Sequence, residues 1–180
     1  MVFWYTPSLR YFLRFASNAT PYHPAMNPEE IQLMFAARLD VFDPILGKTI
    51  NADFMRLHEE LTRILLPLPC EVEKGNYNLL GLVMDEEDYK HHYRTKFPTP
   101  TKPAVYDKAI LNNTTNVAWS KAKAIHTAKI VDYQLFAAVK HETCNFILTV
   151  VYNKWVCRLR ELITFYTAVA PLYLLDHLQK

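Results

Sequence analysis

NTTNVAWSKAKAIHTAKIVDYQLFAAVKHETCNFILTVV, from Asn113 to Val151, contains neither proline nor glycine. Ala118, Ala122, Ile125, Ala128, Val131, Leu135, Val139, Phe146 and Val150 recur along it at mostly three- and four-residue spacing. That period places them on one face of an α-helix, because 3.6 residues make a turn. The reading is one long helix, or two with a break near Thr143–Asn145.

The same logic extends outward. Towards the C-terminus a helix is expected over Lys154–Tyr166, and a last one from Pro171 through Leu172, Leu174, Leu175 and Leu178. Upstream, Phe54, Leu57, Leu61, Ile64 and Leu65 repeat at helical spacing after Asn51, and Pro67 and Pro69 stop that run. Pro28-Glu29-Glu30 before Ile31, Leu33, Met34, Phe35 and Leu39 predicts a short helix, with Asn27 as its cap and two acids at the positive end of its dipole. Asp85–Asp88 opens another short helix by the same preference. The run Phe97–Pro103, with three prolines, predicts a stiff extended linker. Residues 70–84 are the least regular: Tyr77–Met84 reads as extended or as a single buried turn, and a strand, if there is one, would lie here. The predicted class is mainly α: packed amphipathic helices, one long and central, behind an irregular N-terminal extension. Residues 1–40 are assigned to that extension, partly disordered, and 41–180 to the helical domain.

Composition narrows function mostly by exclusion. The 180 residues are 51% hydrophobic and carry a net charge of +2, which suits a folded domain. Only 3 glycines leave no room for a glycine-rich phosphate loop, and 3 cysteines cannot build a disulfide framework. Gly47-Lys48-Thr49 looks like the end of a P-loop, but Phe42 stands where that loop needs glycine. His141 and Cys144 sit one turn apart, yet Cys157 and His177 stand singly and do not form the second pair that structural zinc requires. His58, His126 or His141 beside a cysteine would make a catalytic pair only through spatial proximity. The acids Asp85–Asp88 read as a helix start and not as an acid/base dyad, which needs two carboxylates in different environments. No catalytic residue, metal site or cofactor is assigned, and no enzyme activity or small-molecule substrate is expected.

No stretch offers the roughly 20 apolar residues of a membrane span, since Leu162–Leu175 is short and contains Pro171. The acid-free opening with Arg10 and Arg14 fits an irregular extension and, as an alternative, an organellar presequence. A cytoplasmic location is the expectation, with the cysteines as free thiols.

Charge distribution is more telling. Between Tyr89 and Ala128 stand Lys90, Arg94, Lys96, Lys102, Lys108, Lys121 and Lys123, against the single acid Asp107. Tyr89, Tyr93, Phe97, Tyr106 and Trp119 interleave with them. Cations with aromatics are what a single-stranded nucleic acid needs, for phosphate pairing and base stacking. The alternative is a solvated linker beside a polar helix face.

Four segments, in order, resemble the Gag-like polypeptide of Copia-type LTR retrotransposons. They are Asp43-Pro44-Ile45-Leu46-Gly47-Lys48-Thr49 with the helix Phe54–Leu61; Gly75–Met84 followed by Asp88-Tyr89, similar to the family's "GhLGLv" stretch; Phe97-Pro98 with Pro103; and Ala124–Val139 leading to Leu174-Leu175-Asp176-His177-Leu178, similar to its "LLDHL". The chain departs from the family at Asn78, where histidine is usual, and at Ala170-Pro171, where Thr-Pro is common. The family also continues past this helix, often into a zinc knuckle, so the resemblance implies an N-terminal, truncated part. It implies a non-catalytic structural protein that self-associates and binds RNA weakly through its basic segment, residues 89–128. The competing expectations are an all-α module that binds a protein partner and a small organellar enzyme.

Overall fold

The computed structural model describes residues 26–47, 51–71, 77–104, 116–160, 166 and 169–179. They form six α-helices: α1 (Pro28–Leu39), α2 (Asn51–Leu65), α3 (Glu86–Tyr93), α4 (Asn116–Val150), α5 (Asn153–Val156) and α6 (Pro171–Gln179). Two 3-10 turns accompany them, Leu79–Leu82 and Cys157–Leu159. No strand forms among the described residues, only the isolated bridges Ile45–Val151 (parallel) and Pro69–Asn78 (antiparallel). The mainly α class and its long central helix are therefore as the periodicity predicts.

α1 is held by a complete capping box. The Asn27 side chain accepts from the Glu30 amide at 2.9 Å, and the Glu30 carboxylate accepts from the Asn27 amide at 2.8 Å. Two orphan donors at the helix start are thereby satisfied. Ile31 and Phe35, one turn apart, are fully buried, and the Phe35 ring meets Phe146 of α4 edge-on at 6.2 Å. α1 is thus a core helix packed on α4, so the stretch 1–40 read as an extension contains a core element from Pro28 onward. Residues 1–25 lie outside the described residues.

α4 is one unbroken helix of 35 residues, about 52 Å long at 1.5 Å per residue. Thr143, near the expected break, sits inside it with its hydroxyl donating to the Val139 carbonyl at 2.7 Å. Leu135, Val139, Phe146, Ile147 and Val150 of this helix are buried. Its end is tied down by the parallel bridge, where the Ile45 amide donates to Val150 and the Tyr152 amide to Ile45.

The helix expected over Lys154–Tyr166 is not observed. Among the described residues of this stretch, helical structure runs from Asn153 to Leu159 as α5 and a 3-10 turn, and Arg160 is extended with ψ 117°. The Tyr166 hydroxyl contacts Asn153 Oδ1 and the Val156 carbonyl, each at 3.4 Å. A continuous helix would hold Asn153 and Tyr166 roughly 20 Å apart along its axis. Tyr166 instead lies beside Asn153 and Val156; Val156 is buried, and the Trp155 carbonyl lies 3.1 Å from His177 Nε2 of α6. α6 starts at Pro171, with Val169 and Ala170 non-helical before it.

Residues 77–84 form no strand. Asn78 caps the 3-10 turn by accepting from the Leu80 amide, and Leu79, Leu80, Leu82 and Val83 are buried. The backbone pairs across the loop through Cys70 N to Tyr77 O and Leu79 N to Leu68 O, which makes the Pro69–Asn78 bridge.

Candidate nucleic-acid interface

The basic segment begins on α3. Asp85 takes the N-cap position with extended backbone, and Glu86, Glu87 and Asp88 fill the first turn. Lys90, His91 and His92 occupy the last turn, where positive charge complements the helix dipole. Arg94 closes the helix in the left-handed conformation (φ 56°), with its amide bonded to the Lys90 carbonyl at 2.8 Å. Glycine is the usual occupant of such a position.

Beyond Arg94 the chain forms a strap without helix or strand over residues 96–104, with a tight turn in which the Thr99 amide donates to the Phe97 carbonyl at 3.0 Å. Its root is fixed by Phe97. The Phe97 ring lies in the space that a side chain at Gly81 would need, 5.3 Å from the Tyr89 ring and 6.2 Å from the Phe136 ring of α4. The Cys70 thiol donates to the Pro98 carbonyl at 3.1 Å. Beneath this anchor, buried Asn78 donates to the Tyr93 hydroxyl at 2.8 Å, and the Tyr89 hydroxyl donates to the Asn78 carbonyl. The aromatics that interleave with the cations here are therefore packing groups: Tyr89 is fully buried and Tyr93 and Phe97 are half-buried.

The cations separate into two groups. Lys90, Arg94 and Lys102 are exposed around the end of α3 and on the strap. Lys96 is also exposed but is paired with Glu86 at 2.6 Å, an ion pair that raises the lysine pKa and lowers the carboxylate's. Lys121 and Lys123 stand on the first turns of α4, both exposed. Two residues apart on a helix, they point to opposite sides. Lys123 lies over the half-buried Trp119 ring at 5.2 Å, while Lys121 shares its side with exposed Val117 and Ile125. Phe97 touches α4 at Phe136, so roughly 20 Å of helix axis separates that anchor from Lys123. Lys108 and Tyr106 lie outside the described residues. Lys129, exposed one turn past Ile125, adds to the α4 group; it falls just beyond the window in which acids are scarce, and its helical spacing from Lys121 is the signal that points to it.

From Val117 to Gln134 no side chain of α4 is buried. The line that faces the core at Leu135 and Val139 continues along this half as Val117, Lys121, Ile125 and Ala128, with Val117 79% and Ile125 45% exposed. The amino-terminal half of α4 thus has no fully buried side chain, is half-buried along Trp119, Ala122, His126, Ile130 and Tyr133, and carries three exposed lysines with the exposed apolar Val117 and Ile125.

A groove of about 450 Å³ flanks the other half of α4, between Tyr133, Phe136, Lys140, His141, Cys144, Asn145, Leu148 and Tyr166. Burial pushes the Cys144 thiol up to about 11, and its sulfur donates to the Val169 carbonyl, so it is a protonated packing group at neutral pH. His141 is exposed and lies 3.0 Å from the Asn145 amide nitrogen. Cys157 is exposed. Among the described residues no three His, Cys, Asp or Glu side chains gather in a way that could hold a metal ion. Nor is any described helix long and apolar enough to cross a membrane.

In comparisons with family models, curated proteins and solved structures, the chain finds no match.

Proposed function

We propose that this chain is a non-catalytic, Gag-like structural protein that self-associates and binds single-stranded RNA. The observation that carries this reading is the amino-terminal half of α4, which exposes Val117 and Ile125 beside Lys121, Lys123 and Lys129. Helices draw most of their stability from burying an apolar face, so exposed apolar side chains such as Val117 and Ile125 make a surface suited to a partner. The Lys123–Trp119 pair and the exposed cations Lys90, Arg94 and Lys102 supply charge for phosphates. Arg94 stands at a left-handed position where glycine costs less, and its exposed guanidinium adds to this charge.

Light scattering coupled to size exclusion, with and without a single-stranded RNA at two salt concentrations, tests both parts. The expected result is assembly that RNA promotes and high salt reverses. Lys121→Glu together with Lys123→Glu should weaken RNA binding about tenfold at low salt. The salt slope should also flatten, by about 0.7 for each phosphate that is no longer neutralised. A monomer indifferent to RNA and to salt would overturn the reading and favour a protein-binding module.

A further inference from the structure

The strap carries Thr99-Pro100-Thr101-Lys102, a threonine followed by proline with a cation three residues on. Thr99, Thr101 and Lys102 are exposed, and the Thr99 hydroxyl is engaged by none of the described residues. The anchor lies on one side only: Phe97 and Pro98 are held by Gly81, Tyr89, Phe136 and Cys70, the Thr99 amide turns back onto the Phe97 carbonyl at 3.0 Å, and the strap beyond belongs to no helix or strand that a binding partner would have to undo. Pro98, Pro100 and Pro103 stiffen it, so presenting it to another protein costs little conformational entropy. Protein kinases take their acceptor residue in extended chain. A proline after the acceptor brings no amide N–H that would need a partner in the kinase cleft.

We propose that Thr99 is the phosphoacceptor of a proline-directed protein kinase, and that its phosphorylation releases RNA from the α3 and strap cations. In the transfer, Thr99 Oγ1 attacks the γ-phosphorus of ATP and forms the new O–P bond. The bond from that phosphorus to the β,γ-bridging oxygen breaks, and its electron pair leaves with ADP. The hydroxyl proton passes to the kinase's catalytic aspartate and then to solvent. The product bears a charge of about −1.5 to −2. It arises in a stretch, Tyr89–Ala104, that holds Lys90, Arg94, Lys96 and Lys102 and no acid. Lys96 is already matched by Glu86, so the phosphate offsets most of the charge that remains for a polyanion. The release step rests on the RNA-binding reading above; the acceptor assignment does not.

The full chain is treated with ATP and a purified cyclin-dependent-type kinase, and modified residues are located by mass spectrometry. Thr6-Pro7 and Thr20-Pro21 provide internal comparison, because neither has lysine or arginine three residues on. Thr99 should be modified first, and Lys102→Ala should slow it about tenfold with an unchanged thermal melt. A Thr99 that stays unmodified in the folded chain while a peptide of residues 94–104 is phosphorylated overturns the assignment, as does failure of both. The phosphorylated chain should bind single-stranded RNA about tenfold more weakly at low salt. Its salt slope should be shallower by about 1.4, two phosphates at ~0.7 each. Equal RNA affinity before and after phosphorylation overturns the release step. If the unmodified chain binds no RNA, the functional reading fails and the mass-spectrometric result for Thr99 still stands.

Discussion

Gly81 is the residue on which the strap depends. Its backbone angle asks for no special freedom; what matters is space, because a Cβ there would run into the Phe97 ring. Gly81→Ala should push that ring off Tyr89 and Phe136 and destabilise the protein by ~1–3 kcal/mol, the usual cost of overpacking. The expected readout is a lower urea midpoint with an unchanged slope. Phe97→Ala removes the obstructed ring and should make Gly81→Ala nearly neutral in its background. The double-mutant cycle then shows a coupling of ~1 kcal/mol or more. Additive effects would mean that the ring does not sit over Gly81. Arg94 is the complementary case, a side chain retained where the backbone favours glycine.

At the scale of the element, α4 divides into a half with fully buried side chains and a half with none among the described residues, and proline separates their roles. Ala122→Pro lies where no neighbouring side chain is buried, whereas Ala138→Pro lies beside buried Val139. Interior proline costs ~3 kcal/mol or more, by removing a hydrogen bond and adding a clash. Ala122→Pro should therefore remove helical circular dichroism from about the first turns and leave the unfolding midpoint near that of the parent. Ala138→Pro should abolish cooperative unfolding. Equal damage from both would show that the amino-terminal half is part of the core.

The long helix was legible as an apolar period from Ala118 to Val150. The spacing leaves its continuity through Thr143–Asn145 open, and the unbroken helix itself settles it. α1 was legible because cap and period agreed, and α2 because period and proline stop agreed. Lys154–Tyr166 misled because Trp155, Val156 and Leu159 keep helical spacing while Tyr166 lies beside Asn153. Such a long-range pairing leaves no local mark. The cations were legible as a charge imbalance. Their division between the strap and two sides of α4 was not, because it depends on where Phe97 docks. Nor was the pairing of Lys96 with Glu86, which spans α3.

At the scale of the whole molecule, the core holds groups that resist ionisation at both ends of the pH scale. His58 of α2 lies against the Phe54 ring, 6.2 Å between centroids, and is only half-exposed. Its burial lowers its pKa from the ordinary 6.5, with partial opposition from a hydrogen bond to the Val83 backbone and from Glu59. The unfolded chain therefore takes up this proton before the native one does. Stability from keeping His58 neutral is complete above about 6.5 and is lost as pH falls through that value towards the lower native pKa. The alkaline limb has the opposite sign. Burial pushes Cys70 up to about 12, Cys144 to about 11 and Tyr89 to about 12. The unfolded thiols lose their protons near 9 and the unfolded phenol near 10, so stability falls as pH climbs past 9. Urea midpoints should form a plateau between about pH 7 and 8.5 and decline on each side. His58→Phe should flatten the decline between about pH 7 and 5 while leaving the alkaline limb in place. Cys70→Ala should do the reverse, lowering the plateau through poorer packing and softening the fall above about pH 9. An acid limb unchanged in His58→Phe would place its origin in the surface carboxylates and remove His58 from the account.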